Sequence, residues 1–266
     1  MSKVFSFIRS VFRGEINYKM LKYHLLQRGF RKHNTIGDDD FDWKNYTLHY
    51  TGELEVGAKV RTLSLESGDY EFAKGELIQK SSKLPLHNNA QLLYETILLL
   101  SPVSILEIGC GGGDNLHNMH VLDNSLELSG VDISKSQLKL LEERHQALSG
   151  CTAVRDASSP EFAHRKVDLI FTQAVIMHIG EIEGRHRAAL KNIFRTSEHY
   201  VVLMENWEKH HFLDDVRAVL SEGIDNWNQY YLYFRESKLN SSTKVMVIAN
   251  HELDFQPLRD YSQLSS

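Results

Sequence analysis

Short apolar runs alternate with longer amphipathic stretches along most of this chain. That is the pattern of strands buried on both faces and joined by helices. Ile105-Leu106 with Ile108 reads as a first buried strand, and Gly130-Val131-Asp132 as the end of a second. Ala153–Asp156 predicts a third strand, Val167–Thr172 a fourth and Tyr200–Glu205 a fifth. Tyr230–Phe234 and Lys244–Ile248 predict two more. Helices are expected over residues 70–81, over Leu86–Leu100 and from about Asp114 onward. Nearer the start, Val4, Phe5, Ile8, Val11 and Phe12 recur at helical spacing, with Lys3, Arg9 and Arg13 on other faces. Residues 16–29 extend this as a second helix, and the acidic run Gly37–Asp42 reads as a solvated loop.

A length of 266 residues fits one large domain with an added segment, and the chain shows no internal repeats. The net charge of −5 is unevenly placed: residues 1–32 hold eight basic side chains against one acid, Glu15, leaving the remainder at −12. An acidic main domain argues against general nucleic-acid binding. The basic amphipathic start suits peripheral contact with an anionic membrane face, or packing on the chain's own acidic domain. No run approaches the roughly 20 apolar residues of a membrane span, and no secretory leader is evident. Cys110 and Cys151, the two cysteines, fall at core or loop positions that suit a reducing cytoplasm.

The richest stretch chemically is Glu107-Ile108-Gly109-Cys110-Gly111-Gly112-Gly113-Asp114, followed by Asp132. A glycine-rich turn between strand and helix lets backbone approach a ligand closely, and an acid ending the next strand suits ribose hydroxyls. A dinucleotide fingerprint needs Gly-x-Gly-x-x-Gly, but Asp114 stands where the third glycine belongs. An acid there repels a pyrophosphate on the helix N-terminus and suits a cationic ligand. Dinucleotide binding and a ligand-free glycine turn are the alternative readings.

Glu107-x-Gly109-x-Gly111-x-Gly113 with Asp132 resembles motif I and its following acid in the class I S-adenosylmethionine-dependent methyltransferases of small-molecule type. The resemblance spans roughly residues 86–250 and is most specific over 104–132. It implies a Rossmann-like, doubly wound α/β sheet of seven strands with the last antiparallel, carried by residues 86–266. Residues 1–85 then form an N-terminal helical and lid extension. It further implies that Glu107, Gly109, Cys110, Gly111 and Gly113 hold the methionine end of S-adenosylmethionine. By the same resemblance Asp132 takes the ribose, Ile133 lies on adenine, Asp156 and Ala157 face the adenine edge, and Thr172 and Gln173 flank the methionine moiety.

His178, just past the fourth strand, is the candidate general base, because an imidazole titrates near working pH. Trp43 and Tyr46 from the lid segment, with Glu205, Trp207 and His210 after the fifth strand, are candidate substrate contacts. His210 and His211 stand four residues before Asp214 and Asp215, a spacing compatible with a divalent metal. Metal-dependent O-methyltransferases carry an acid directly after the fourth strand, where this chain has Thr172 and Gln173, so no metal is expected. After that strand the chain also lacks the Asn/Asp-Pro-Pro-aromatic signature of many amine methyltransferases. The expected reaction is therefore O-methylation of a sugar, glycan or other small-molecule hydroxyl. A polyketide or quinone acceptor, and a non-catalytic partner subunit with this fold, are the alternatives.

Overall fold

The computed structural model describes residues 43–180, 184–205, 212–238, 244–254 and 256–261. Helix α1 (Trp43–Gly57) leads into a hairpin of β1 (Tyr70–Ala73) and β2 (Glu76–Gln79), and then into α2 (Asn88–Leu100). The main sheet follows as β3 (Ser104–Ile108), α3 (Asp114–Leu122), β4 (Glu127–Asp132), α4 (Lys135–Arg144), β5 (Thr152–Val154) and β6 (Val167–Gln173). The chain closes with α5 (Arg185–Thr196), β7 (Ser197–Met204), α6 (Phe212–Ser221), β8 (Tyr231–Glu236), β9 (Lys244–Ala249) and β10 (Arg259–Asp260).

The sheet runs β10-β8-β9-β7-β6-β3-β4-β5. Strands β3 to β7 pair in parallel, while β9 lies antiparallel between β7 and β8. This is the expected Rossmann-like sheet, with the two-residue β10 adding an eighth strand at the β8 edge. The strand order reverses between β3 and β6, so the carboxyl ends of the parallel strands open a crevice there, as in other doubly wound sheets.

Period-two alternation sends successive side chains to opposite faces. Leu169, Phe171, Val202, Val245 and Val247 pack with Leu93 and Ile97 of α2 and with Leu77 of the hairpin. Ile170, Val201, Leu203, Met246 and Ile248 pack with Leu190 and Ile193 of α5 and with Val216 and Val219 of α6. Helices therefore cover both faces and leave only the strand ends open.

The helix expected over residues 70–81 is instead the β1–β2 hairpin, with Tyr70 facing Gln79 and Ala73 facing Glu76. Its two-residue turn, Lys74-Gly75, has φ of 55° and 79°. A turn with positive φ at both central residues matches the twist of paired strands and breaks a helix. Leu77 supplies the buried anchor, and its N–H donates to the Glu95 carboxylate at 2.9 Å.

Candidate functional site

Strand β3 ends in the glycine turn at the crevice. Gly109, Gly111 and Gly113 all have positive φ, a conformation that L side chains rarely adopt. Packing enforces it too: a Cβ at Gly109 would stand 2.4 Å from Val175 Cγ2, and one at Gly113 would stand 2.5 Å from Leu141 Cγ.

The N–H groups of this turn point back into the protein. Gly109 and Cys110 both donate to the Val131 carbonyl, at 2.7 and 3.1 Å, and Gly113 donates to the Cys110 carbonyl at 2.9 Å. Gly111 donates to Asp132 Oδ2 at 2.9 Å, and the other carboxylate oxygen accepts from Ser134 N–H at 2.7 Å. A phosphate-binding turn presents free N–H groups to its ligand. This one directs four of them to protein acceptors. Burial raises the Asp132 carboxyl, and the Ser134 and Gly111 bonds oppose that rise. Beside it, Ile133 leaves a large apolar side chain 49% exposed.

Glu107 lies beneath the turn, only 2% exposed. Its Oε1 accepts from Asn115 Nδ2 at 2.8 Å, while Oε2 is buried with no hydrogen-bond partner. Burial raises this carboxyl to about 8; the Asn115 bond opposes the rise, and the charges of Asp132 and Asp114 add to it. The same Asn115 amide donates to Gln173 Oε1 at 3.0 Å, joining the ends of β3 and β6. Tyr94 O–H donates to Asn115 Oδ1 at 2.8 Å and accepts from Asn118. Asn118 in turn holds the backbone of Leu63 and Leu65.

Asp114, which the sequence reading set against a cationic ligand, is paired within the protein. Arg144, at the end of α4, pairs with its carboxylate, and Tyr50 of α1 donates to it at 2.8 Å. Burial raises this carboxyl, but bonds from His145, Arg144 and Tyr50 outweigh it and hold the group down at about 2. A charge neutralised by a neighbouring cation neither repels a phosphate nor attracts a sulfonium. The carboxyl groups here that no cation pairs with are Glu107 and Asp132. Helix α1 docks on the same side, where Thr47 and Ser136 hydroxyls meet at 2.8 Å. Tyr46 and Tyr50 stack with ring centroids 5.8 Å apart.

Asp156 follows β5 and lies in a turn. One oxygen takes the Ser158 N–H and hydroxyl, and the other takes Arg185. Ala157 is buried, with its carbonyl held by Asn192. Thr172 is fully buried at the end of β6, and Gln173 is half-buried. Ala174 then turns sharply at φ 54°, and a short 3-10 turn, Ile176–His178, brings half-buried His178 to the crevice end of β6. Glu205, past β7, accepts the N–H groups of Val175 at 2.9 Å and Met177 at 3.3 Å. The side chain of Trp43, and all of Trp207, His210 and His211, lie outside the described residues, as do the basic N-terminal stretch and the acidic Gly37–Asp42 run. A carboxylate–imidazole group with ligand spacing, Asp168, Glu198 and His199, sits at the opposite ends of β6 and β7.

Asn115, Arg144 and Ala174 are the parts that reading the sequence missed. Asn115 directly follows the motif, and its position beside Asp114 on the first turn of a helix was the available signal. Arg144 and Ala174 carried none.

Residues 105–199 match the family model described as Methyltransferase domain. That stretch is similar to a methyltransferase domain. No curated protein matches the chain by sequence. Among solved structures, the [4+2]-cyclase SpnF aligns with a TM-score of 0.51 at 13% identity, covering 79% of this chain and 96% of that one. At that identity the likeness speaks for the fold alone. An amino pentose methyltransferase from Micromonospora echinaspora, solved with S-adenosylmethionine, aligns at 0.49 and 13% identity over 62% of this chain and 91% of that one. The magnesium protoporphyrin IX methyltransferase from Synechocystis, also with bound S-adenosylmethionine, aligns at 0.44 and 14% identity over 61% and 79%. The matched stretch runs from β3 to the start of β7 and contains the glycine turn, Asp132, Asp156 and His178.

Proposed function

We propose that the protein is an S-adenosylmethionine-dependent methyltransferase of small-molecule type that methylates a hydroxyl, with a sugar or glycan as the first acceptor class to test. One observation carries the cofactor reading. The glycine turn offers protein-bound N–H groups where a pyrophosphate would need free ones, above a buried carboxylate oxygen with no partner. Such a pocket favours a cation over an anion.

In this reading Glu107 receives the amino group of the methionine end, and the turn from Gly109 to Gly113 lets backbone lie close to it. Asp132 turns an oxygen to the ribose, exposed Ile133 supports adenine, and Asp156 and Ala157 border its edge. Gln173, held by Asn115, completes the wall at the methionine end. When bound, S-adenosylmethionine supplies an activated methyl group. The chain aligns the acceptor with it and excludes water, and His178 accepts the hydroxyl proton at an imidazole nitrogen. Tyr46 from α1 forms part of the acceptor side. The hydroxyl preference rests on the segment after β6, where Ala174-Val175-Ile176-Met177-His178 stands in place of an amine-type signature.

The test is calorimetry with S-adenosylhomocysteine and, separately, nicotinamide dinucleotide. The former binds at micromolar concentration and the latter does not; Asp132→Ala abolishes the binding, at a cost of about 1.5–3 kcal/mol for each lost bond to a charged group. Binding of the dinucleotide alone would refute the reading. Since a [4+2]-cyclase shares this fold, methyl transfer itself is checked by S-adenosylhomocysteine release in the presence of acceptor panels. With a turned-over acceptor, His178→Ala lowers kcat about a hundredfold or more while cofactor affinity holds.

A further inference from the structure

We infer that Glu205 is a positioning residue that locks the turn after β6 against the glycine turn, so that one carboxylate sets both sides of the site. The inference rests on the reading of those two sides given above.

The chain leaves β6 through a left-handed corner at Ala174, whose N–H is tied to the Met204 carbonyl at 2.9 Å. It then enters a 3-10 turn whose first N–H groups have no partner within the turn. Glu205 supplies that partner from just past β7, 28 to 30 residues away in sequence: Oε1 takes Val175 N–H at 2.9 Å and Oε2 takes Met177 N–H at 3.3 Å. The Thr172 hydroxyl and Ile176 N–H also face the carboxylate, and burial raises its carboxyl. A desolvated carboxylate surrounded by donors is rigid, because each donor it loses stays unsatisfied.

The clamp reaches both neighbours of the turn. Val175 packs so closely on Gly109 that no Cβ fits there. His178 N–H returns to the Val175 carbonyl at 2.9 Å, so the imidazole is carried by the residue that Glu205 holds. Moving Val175 therefore moves the start of the glycine turn and the candidate base together. Both Glu205 oxygens being engaged by backbone, its task is to hold the turn rather than touch the acceptor.

Glu205→Gln tests this, since its amide NH2 cannot accept a hydrogen bond. Amide exchange at whichever of Val175 and Met177 is left facing the NH2 group is expected to accelerate about tenfold or more, with global stability largely kept. The affinity for S-adenosylhomocysteine is expected to fall about tenfold, Val175→Ala alone is expected to do the same, and the double variant should be no worse than either single one. Additive losses, or unchanged exchange at both amides, would overturn the inference. Failure of the wild type to bind S-adenosylhomocysteine would instead remove the cofactor reading, and the exchange measurement would still decide the clamp. Should Glu205→Gln not fold, exchange at Met177 in Val175→Ala reads the same coupling from its other end: acceleration supports the clamp and no change refutes it.

Discussion

Glu107 shows how one atom's surroundings set a chemical preference. Its partnerless oxygen and its carboxyl at about 8 mean that the group is largely protonated at neutral pH. A cation arriving beside it favours the ionised form, so binding expels a proton. Titrating S-adenosylhomocysteine at pH 7 in two buffers of different ionisation enthalpy should show release approaching one proton, and Glu107→Gln should abolish it. Affinity should rise between pH 6 and 8, by at most about tenfold per unit. Folding stability responds oppositely. A carboxyl raised on folding costs stability as pH climbs from about 4.5 toward 8, so Glu107→Gln should be the more stable protein at pH 8.5 and about equal at pH 4. A buffer-independent enthalpy would contradict this account.

Among the elements, the glycine turn is the most constrained piece of chain. Gly109→Ala adds a Cβ at φ 72° and 2.4 Å from Val175. The left-handed backbone costs about 1–2 kcal/mol and the overlap about 1–3 more. Urea unfolding should show a loss of about 2–5 kcal/mol, whereas Gly150→Ala, at φ 81° with open space around it, should lose only the backbone part of about 1–2 kcal/mol. The turn and the strands around it were legible because buried parallel strands are continuous apolar runs and because glycine spacing is a local signal. The hairpin at 70–79 was not: Tyr70, Phe72 and Leu77 fit a helical face as well as a strand, and only the Lys74-Gly75 corner distinguishes them. Asp114 misled for another reason. Its charge is cancelled by Arg144, a residue thirty positions away that local spacing could not bring to it. Glu205 was read as a substrate contact from its place after a strand, and sequence carries no sign that its oxygens turn to backbone.

Across the whole molecule, the N-terminal elements are fastened to the sheet by buried polar pairs. Arg235 of β8, 4% exposed, pairs with Glu95 of α2 at 2.6 Å and donates to the Gly75 carbonyl in the hairpin corner at 3.0 Å. Removing one partner strands the other charge, a loss of about 3–5 kcal/mol. Arg235→Leu should therefore lower the urea midpoint by that equivalent and expose residues 70–79 to limited proteolysis first. Equal cleavage in both proteins would refute the tether. No described helix is long and apolar enough to cross a membrane.

The backbone of Leu63 and Leu65 rests on Asn118, the Leu77 N–H on Glu95, and the Tyr50 hydroxyl on Asp114. A cut between residues 85 and 86 would therefore sever no strand yet strip hydrogen-bond partners from Asn118, Glu95 and Asp114 at once. Anyone expressing the catalytic unit alone should begin the fragment at or before Trp43. The sheet and the contacts that support it have different first residues.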